Sequence, residues 1–137
     1  MAGLAATVAA TEAGAERGNS LTISIRPVGT FSFDEVVVLV RAAIATARRN
    51  KVRDLLVDTT ALTGFPPPEL SQRFLAAVAW SDESEGDVRL AMVARAEMIH
   101  PQKFGVVVAA GRGMISNIFT TEAVARAWLD AQSRKKR

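Results

Sequence analysis

Apolar and polar residues follow two periods along this chain, and each period predicts one kind of secondary structure. Leu21, Ile23 and Ile25 alternate with polar residues, which is typical of a strand with one buried face. Residues 55–57 and 88–94 are almost continuously apolar, and such runs are typical of strands that are covered on both faces. These three segments predict strands of a sheet.

Between the strands, apolar residues recur every three to four positions, as they do in helices that pack one face on a core. Four helices are predicted, and they begin after Ser32 or Asp34, at Pro67 or Pro68, at Pro101, and after Thr120 or Thr121. A short strand is predicted at residues 115–119, and residues 1–19 predict a weak N-terminal strand or an arm. Because strands and helices alternate from residue 21 onward, the sequence predicts an α/β fold, with a mixed, largely parallel sheet of about four or five strands and about four helices.

Length and composition predict a single domain over residues 1–137. Hydrophobic residues make up 49% of the chain and charged residues 23%, which is a globular composition. The chain has no cysteine, which excludes disulfides, thiolate nucleophiles and cysteine-ligated metal centres. Its one histidine, His100, excludes any site that needs two imidazoles. No metal and no cofactor are predicted.

The formal net charge of +3 depends on residues 134–137, which supply four of the seventeen basic side chains. Residues 130–137 are therefore predicted to be an exposed basic tail, and no specific nucleic-acid binding is expected. The apolar start of the chain has no basic residue before Arg17, and no run reaches the ~18 apolar residues that a membrane span needs. A cytoplasmic protein without a membrane span is expected.

Polar side chains follow two of the predicted strands, at the edge where open α/β sheets bind ligands. In the alternative interpretation, these groups bond local backbone in turns. Neither a phosphate-binding glycine loop nor a nucleophile elbow is present, and no acid–base pair can be assembled, so neither catalytic residues nor enzyme activity is predicted. The candidate ligand-binding residues are Asp58, Thr59, Thr60 and Thr63 after one strand, and Arg95, Glu97 and His100 after the next.

Two apolar features are candidate interfaces. Phe65 lies between Gly64 and three prolines, so its ring either packs back onto the core or stands exposed as a contact surface. Val37 and Val38 widen the apolar face of the first helix beyond the stripe that the core needs. Neighbouring helices or a second copy of the chain must cover that excess, and a homodimer is predicted.

Four segments carry a resemblance to a known family: residues 55–58, 89–93, 119–122 and 127–129 read LLVD, RLAMV, FTTE and AWL. With these sequences in this order of elements, the chain resembles the SpoIIAA-like branch of the STAS domains from about residue 20 to residue 129. The resemblance implies a small sheet backed by helices, related in shape to bacterial anti-sigma-factor antagonists and to the CRAL-TRIO lipid-transfer fold.

The resemblance also implies a function. Anti-sigma-factor antagonists switch partner binding by phosphorylation of a serine in the loop after the strand that corresponds to residues 55–58. The equivalent loop here, residues 58–64, has no serine, and Thr63 before Gly64 is the nearest match and the candidate phosphosite. The resemblance thus implies a non-enzymatic regulatory or protein-interaction module with an unknown protein partner. The alternative is a binder of a small apolar or lipid-like ligand, which the lipid-transfer fold and the apolar residues 106–110 suggest.

Overall fold

The structure is a computed structural model that describes residues 8–13 and 21–135. Strands and helices alternate along most of this length. In chain order the elements are β1 (Val8–Ala13), β2 (Thr22–Pro27), β3 (Gly29–Thr30), α1 (Phe33–Arg49), β4 (Asp54–Asp58), β5 (Leu62–Thr63), α2 (Leu70–Ser84), β6 (Arg89–Val93), a short 3₁₀ helix (Ala96–Met98), α3 (Phe104–Gly111), β7 (Ser116–Phe119) and α4 (Glu122–Lys135).

The main sheet has the strand order β1-β2-β4-β6-β7. Strand β1 pairs with β2 in the antiparallel sense, and the other neighbours are parallel. Strands β3 and β5 form a separate parallel pair next to the loop that follows β4. The predicted α/β fold, with a mixed, largely parallel sheet and four helices, is confirmed.

Helices cover both faces of the sheet. On one face, Leu55, Leu90 and other strand residues pack in one core with side chains of α1, α2 and α3. On the other face, Leu56 and Val93 pack against Leu129 of α4. Strands β4 and β6 are buried along their whole length, and burial on both sides explains why residues 55–57 and 90–93 are continuously apolar.

Helix α1 begins where the capping signal predicts. Ser32 accepts a hydrogen bond from the backbone N–H of Glu35, and the Glu35 carboxylate accepts one from the backbone N–H of Ser32. The predicted core stripe is confirmed, and its buried members are Val36, Leu39, Val40, Ile44 and Ala47.

Two predicted helix starts are wrong. Helix α2 begins at Leu70, after the prolines at 66–68, because each proline disfavours the helical conformation of the residue before it. Helix α3 begins at Phe104 and not at Pro101, since Lys103 has a left-handed backbone (φ 52°) that no preceding helix could continue through.

The prediction of an exposed tail over residues 130–137 is also wrong for residues 130–133, which are half-buried, whereas Arg134 and Lys135 are exposed as predicted. Helix α4 continues to Lys135, and Ser133 near its end hydrogen-bonds to Arg89 at 3.2 Å. Thr121 caps the start of the helix by accepting from the Val124 N–H, as predicted. Residues 1–7, 14–20 and 136–137 lie outside the described residues. Of the predicted N-terminal strand or arm over residues 1–19, the structure describes residues 8–13, which form β1.

A buried ion pair joins β4, β6 and α4. Asp54 and Arg89 are register partners at the start of their strands, and the Arg89 Nε lies 2.7 Å from Asp54 Oδ1. The residues are 3% and 4% exposed. Arg89 Nη2 donates to the Ser133 hydroxyl of α4, whereas its buried Nη1 has no hydrogen-bond partner among the described residues. The pair fixes the end of α4 over the sheet.

Candidate functional site

A cavity of about 130 Å³ lies between the sheet and α2. Strands β6 and β7 contribute Leu90, Met92 and Ile118 to its wall. From the other side, α2 contributes Ala77 and Trp80. Most of the remaining wall is apolar, from α1, α3 and the loops that surround them: Phe33, Val36, Phe65, Pro68, Ala94, Met98, Gly105, Ala109 and Met114.

Short side chains under a fixed helix explain the cavity. Helix α2 packs chiefly against α1 and α3. The Trp80 Nε1 donates to the Val37 carbonyl of α1 at 3.1 Å, and Glu83 forms ion pairs with Arg41 and Arg48 of the same helix. Beneath this contact, the helices present alanines and a glycine toward the sheet, at positions 76, 77, 105 and 109. Small residues held at a fixed distance cannot fill the space, and a void remains.

Among the described residues, two charged side chains lie on the cavity wall, and Arg73 is the first of them. Its Nε donates to the Pro68 carbonyl at 2.9 Å, and its Nη1 donates to the Met98 carbonyl at 3.1 Å. Burial lowers the pKa of the Arg73 guanidinium from its ordinary value. Within the described part of the chain, Arg73 forms no ion pair.

Arg95 is the second charged side chain on the wall, and it is internally paired. Its Nε lies 2.9 Å from the Glu97 carboxylate, and its Nη1 donates to the carbonyls of Thr60 and Leu62 at 3.2 and 3.0 Å. A hydrogen bond from its own backbone and the Arg95 guanidinium lower the pKa of Glu97. Arg95 thus ties the loop after β6 to the loop after β4.

The predicted binding residues after β4 take part in local bonds. Asp58 Oδ1 accepts from the backbone N–H and the hydroxyl of Thr60, at 2.9 and 2.6 Å. The Thr59 hydroxyl donates to the Val93 carbonyl at 2.8 Å. The Asp58–Thr60 bonds have the geometry of the alternative interpretation, whereas the Thr59 bond crosses to strand β6, 34 residues away. Of the seven predicted residues, Thr59 and Arg95 line the cavity.

The structure places Thr63 and His100 away from the cavity wall. Thr63 lies in β5 with an exposed side chain, and its hydroxyl is 3.1 Å from that of Thr30. The His100 Nδ1 accepts from the Gln102 N–H at 3.1 Å, and its ring centroid is 6.0 Å from that of Phe104. The two loops therefore meet through Arg95, and His100 does not join them.

The three candidate interface residues have different environments. Phe65 is half-buried, its ring centroid lies 5.8 Å from that of Phe33, and it lines the cavity, so it is not an exposed contact residue. Val37 is half-buried, and its backbone carbonyl accepts the Nε1–H of Trp80 from α2. Val38 alone of the three is largely exposed, at 55%.

Sequence reasoning missed Arg73, Trp80 and the cavity itself. The available signal was the pattern of small residues at 76–77 on one helix and at 105 and 109 on the next. Of the apolar stretch 106–110 that suggested a ligand, only Ala109 lines the cavity, and Val107 is 63% exposed.

Two further findings concern metals and membranes. In residues 8–13 and 21–135, no three histidine, aspartate or glutamate side chains come together as a metal site would need. Within the same ranges, no helix is long and apolar enough to cross a membrane.

Comparison with known proteins gives a similarity of fold. The chain matches no protein-family model, and it matches no curated protein. It is similar to an uncharacterised protein of the DUF3478 family with a SpoIIAA-like fold from Shewanella loihica, at 17% identity and a TM-score of 0.46, over 88% of this chain and 92% of that chain. It is also similar to SpoIIAA, an anti-sigma factor antagonist in its unphosphorylated form, at 19% identity and a TM-score of 0.46, over 88% of this chain and 98% of that one.

Both neighbours have the fold that the sequence resemblance implies, and the similarity concerns the fold alone.

Proposed function

We propose that this protein is a non-enzymatic STAS-type binding module whose cavity holds a small apolar ligand. The observation that carries the proposal is the cavity between α2 and strands β6 and β7, with its largely apolar wall. Concave apolar sites with a few polar groups are the usual form of small-molecule sites in proteins. The proposal takes up the ligand-binding alternative from the sequence.

The size of the cavity sets the size of the ligand. Its volume is about 130 Å³. An apolar cavity of about 150 Å³ in a protein core is large enough for benzene. A body of roughly six carbons therefore fits, whereas a whole phospholipid is too large. The cavity would hold one ring or one short alkyl chain.

The side chains of the wall support binding without catalysis. Among the described residues, the charged groups on the wall are the guanidiniums of Arg73 and Arg95, and no carboxylate or imidazole joins them. Arginine stays protonated and is a poor general acid or base. The wall thus offers recognition and no evident proton transfer.

Titration with 1-hexanol tests the proposal. Amide resonances of cavity residues such as Met92 and Ala109 should shift in a saturable way, followed by two-dimensional NMR of the ¹⁵N-labelled protein. Ala77→Leu places an isobutyl group at the wall and should abolish the shifts. Ala79→Leu is the matched control, because Ala79 lies on the same helix and does not line the cavity. It should leave binding unchanged.

Two outcomes would contradict the proposal. One is the absence of saturable shifts in the parent protein. The other is a set of shifts centred on the opposite face of the sheet, around Leu129. Should Ala77→Leu fail to fold through overpacking, Ala109→Leu fills the cavity from α3 and replaces it in the test.

A second candidate function is contact with a protein partner, as the resemblance to regulatory STAS domains implies. A specific observation favours it: α2 exposes three large apolar side chains, Leu70, Phe74 and Leu75, at 52%, 46% and 65%. Exposed apolar groups on one helix are typical of contact surfaces. Leu75→Ser should weaken partner binding without weakening 1-hexanol binding, since Leu75 does not line the cavity.

A further inference from the structure

We infer that the ligand of this cavity carries a single carboxylate and that Arg73 binds it. The inference rests on the proposed function, because it assigns the polar end of a ligand whose apolar body the cavity would hold. The sign of the charge on the cavity wall indicates an anionic ligand. Both charged side chains on the wall, Arg73 and Arg95, are cations.

The two arginines differ in how their charge is balanced. Arg95 has the Glu97 carboxylate 2.9 Å from its Nε. No carboxylate pairs with Arg73 within the described part of the chain. Even partial burial without a counter-ion is unfavourable for a cation, and it lowers the pKa of the half-buried Arg73. An anion that enters the cavity beside Arg73 would supply the missing counter-charge.

The Arg73 guanidinium is also held in a fixed orientation. Its Nε and Nη1 donate to the carbonyls of Pro68 and Met98, and both of those residues line the cavity as well. Its Nη2 has no hydrogen-bond partner among the described residues. The side chain is therefore already ordered before a ligand arrives, which reduces the entropy cost of binding.

The balance of charge and volume selects the ligand class. One unpaired guanidinium neutralises one negative charge, and it matches the planar geometry of a carboxylate. The cavity of about 130 Å³ holds roughly six carbons. Together these features point to short-chain or aromatic monocarboxylic acids, of which hexanoate is the simplest probe.

Hexanoate and 1-hexanol form the matched pair for the test, since they share a six-carbon chain and differ in charge. Their dissociation constants should be measured by the same NMR titration. The parent protein should bind hexanoate about ten-fold or more tightly than 1-hexanol, because hydrogen bonds to a charged group are stronger than neutral ones. Arg73→Met should reduce this preference to under about three-fold, chiefly by weakening the binding of hexanoate.

Arg112→Met is the control, because Arg112 pairs with Asp82 and does not line the cavity. It should keep the preference for hexanoate. If Arg73→Met does not fold, Arg73→Gln, which keeps an amide donor for the neighbouring carbonyls, carries the same prediction.

The outcomes separate the inference from the proposed function. Equal affinity of the parent protein for both ligands would overturn the inference and leave the proposed function standing. Loss of the preference in Arg95→Met, with the preference intact in Arg73→Met, would also overturn it by assigning the carboxylate to Arg95. Failure of both ligands to bind would overturn the proposed function and the inference together.

Discussion

Replacing Arg89 by methionine removes the cation that neutralises a buried carboxylate. Asp54 is 3% exposed, and the Arg89 Nε lies 2.7 Å from its Oδ1. Methionine retains most of the apolar length of the side chain, so the change isolates the charge. In Arg89→Met, the Asp54 carboxylate keeps one side-chain hydrogen bond among the described residues, from the Ser133 hydroxyl to its Oδ2 at 3.4 Å.

The expected loss of stability is large. Breaking one side of a buried ion pair costs about 3–5 kcal/mol, because the remaining charge stays desolvated. For a chain of 137 residues, that corresponds to a fall in Tm of roughly 10–20 °C. Chemical denaturation at constant pH, with Tm from a thermal scan, measures both quantities.

A double variant tests whether the loss arises from the uncompensated charge. Arg89→Met combined with Asp54→Leu removes both charges, and it should recover most of the lost stability, since apolar replacement of a whole buried pair is often neutral or better. The unsatisfied Nη1 of Arg89 adds to this expectation. Arg112→Met is the exposed control, since Arg112 and Asp82 are 43% and 56% exposed, and it should cost under about 1 kcal/mol.

A loss of under about 1 kcal/mol in the free energy of unfolding of Arg89→Met would contradict the buried position of this ion pair. A double variant no more stable than Arg89→Met would contradict the claim that the loss arises from the uncompensated charge. In that case the arginine would act through its packing and not through its charge.

Three further predictions concern other parts of the molecule. Hydrogen bonds from two arginines of α1 lower the pKa of Glu83 below its ordinary 4.5, so their contribution to stability is complete above that pH and is lost as the pH falls through the folded-state pKa. Glu83→Gln should therefore be less stable than the parent above pH 4.5, and the difference should shrink as the pH is lowered in acid denaturation curves. A difference that stays constant with pH would contradict this. Trp128→Ala should lower the free energy of unfolding by about 2–4 kcal/mol in chemical denaturation. This is below the full value for a buried ring, because Trp128 is half-buried and its ring centroid lies 5.8 Å from that of Phe119. A loss under about 1 kcal/mol would contradict this packing. The predicted homodimer should give twice 14.6 kDa by light scattering and be split by Val38→Glu without a change in Tm, since Val38 is exposed, whereas 14.6 kDa across a dilution series would contradict it.

Much of the sheet was predictable from the sequence because its strands are buried in a regular way. Strands β4 and β6 lie under helices on both faces, and this placement requires continuous apolar runs. The start of α1 was predictable because Ser32 and Glu35 form a local capping box. The capping box lies within four residues, and the burial of each strand is visible in the composition of its own short segment.

The candidate site was less predictable because it depends on distant residues and on empty space. Arg73 is indistinguishable in the sequence from a solvated helix charge, and its partner carbonyl at Met98 is 25 residues away. The cavity exists because Ala77 and Ala109 are short where two helices are held above the sheet. Sequence periodicity marks such alanines as core positions but does not show whether neighbours fill the space beside them.

The residues after β4 show a different limit. Asp58 and Thr59 lie at the carboxyl end of a central strand, and of the two only Thr59 lines the cavity. The topology rule does not reveal which hydrogen bonds such residues already make. Asp58 Oδ1 already accepts two hydrogen bonds from Thr60, so it is less available to a ligand than its position at the edge of the sheet suggests.

The most direct test of the ligand site is a crystal structure of the protein with 5-bromopentanoate, in which bromine replaces the terminal methyl group of hexanoate. The anomalous scattering of bromine locates the end of the chain without ambiguity. The account predicts one bromine peak between Met92 and Ala77, with the carboxylate within hydrogen-bond distance of Arg73. A crystal that diffracts well and shows no bromine in the cavity, or shows it only on the outer surface, would contradict the account.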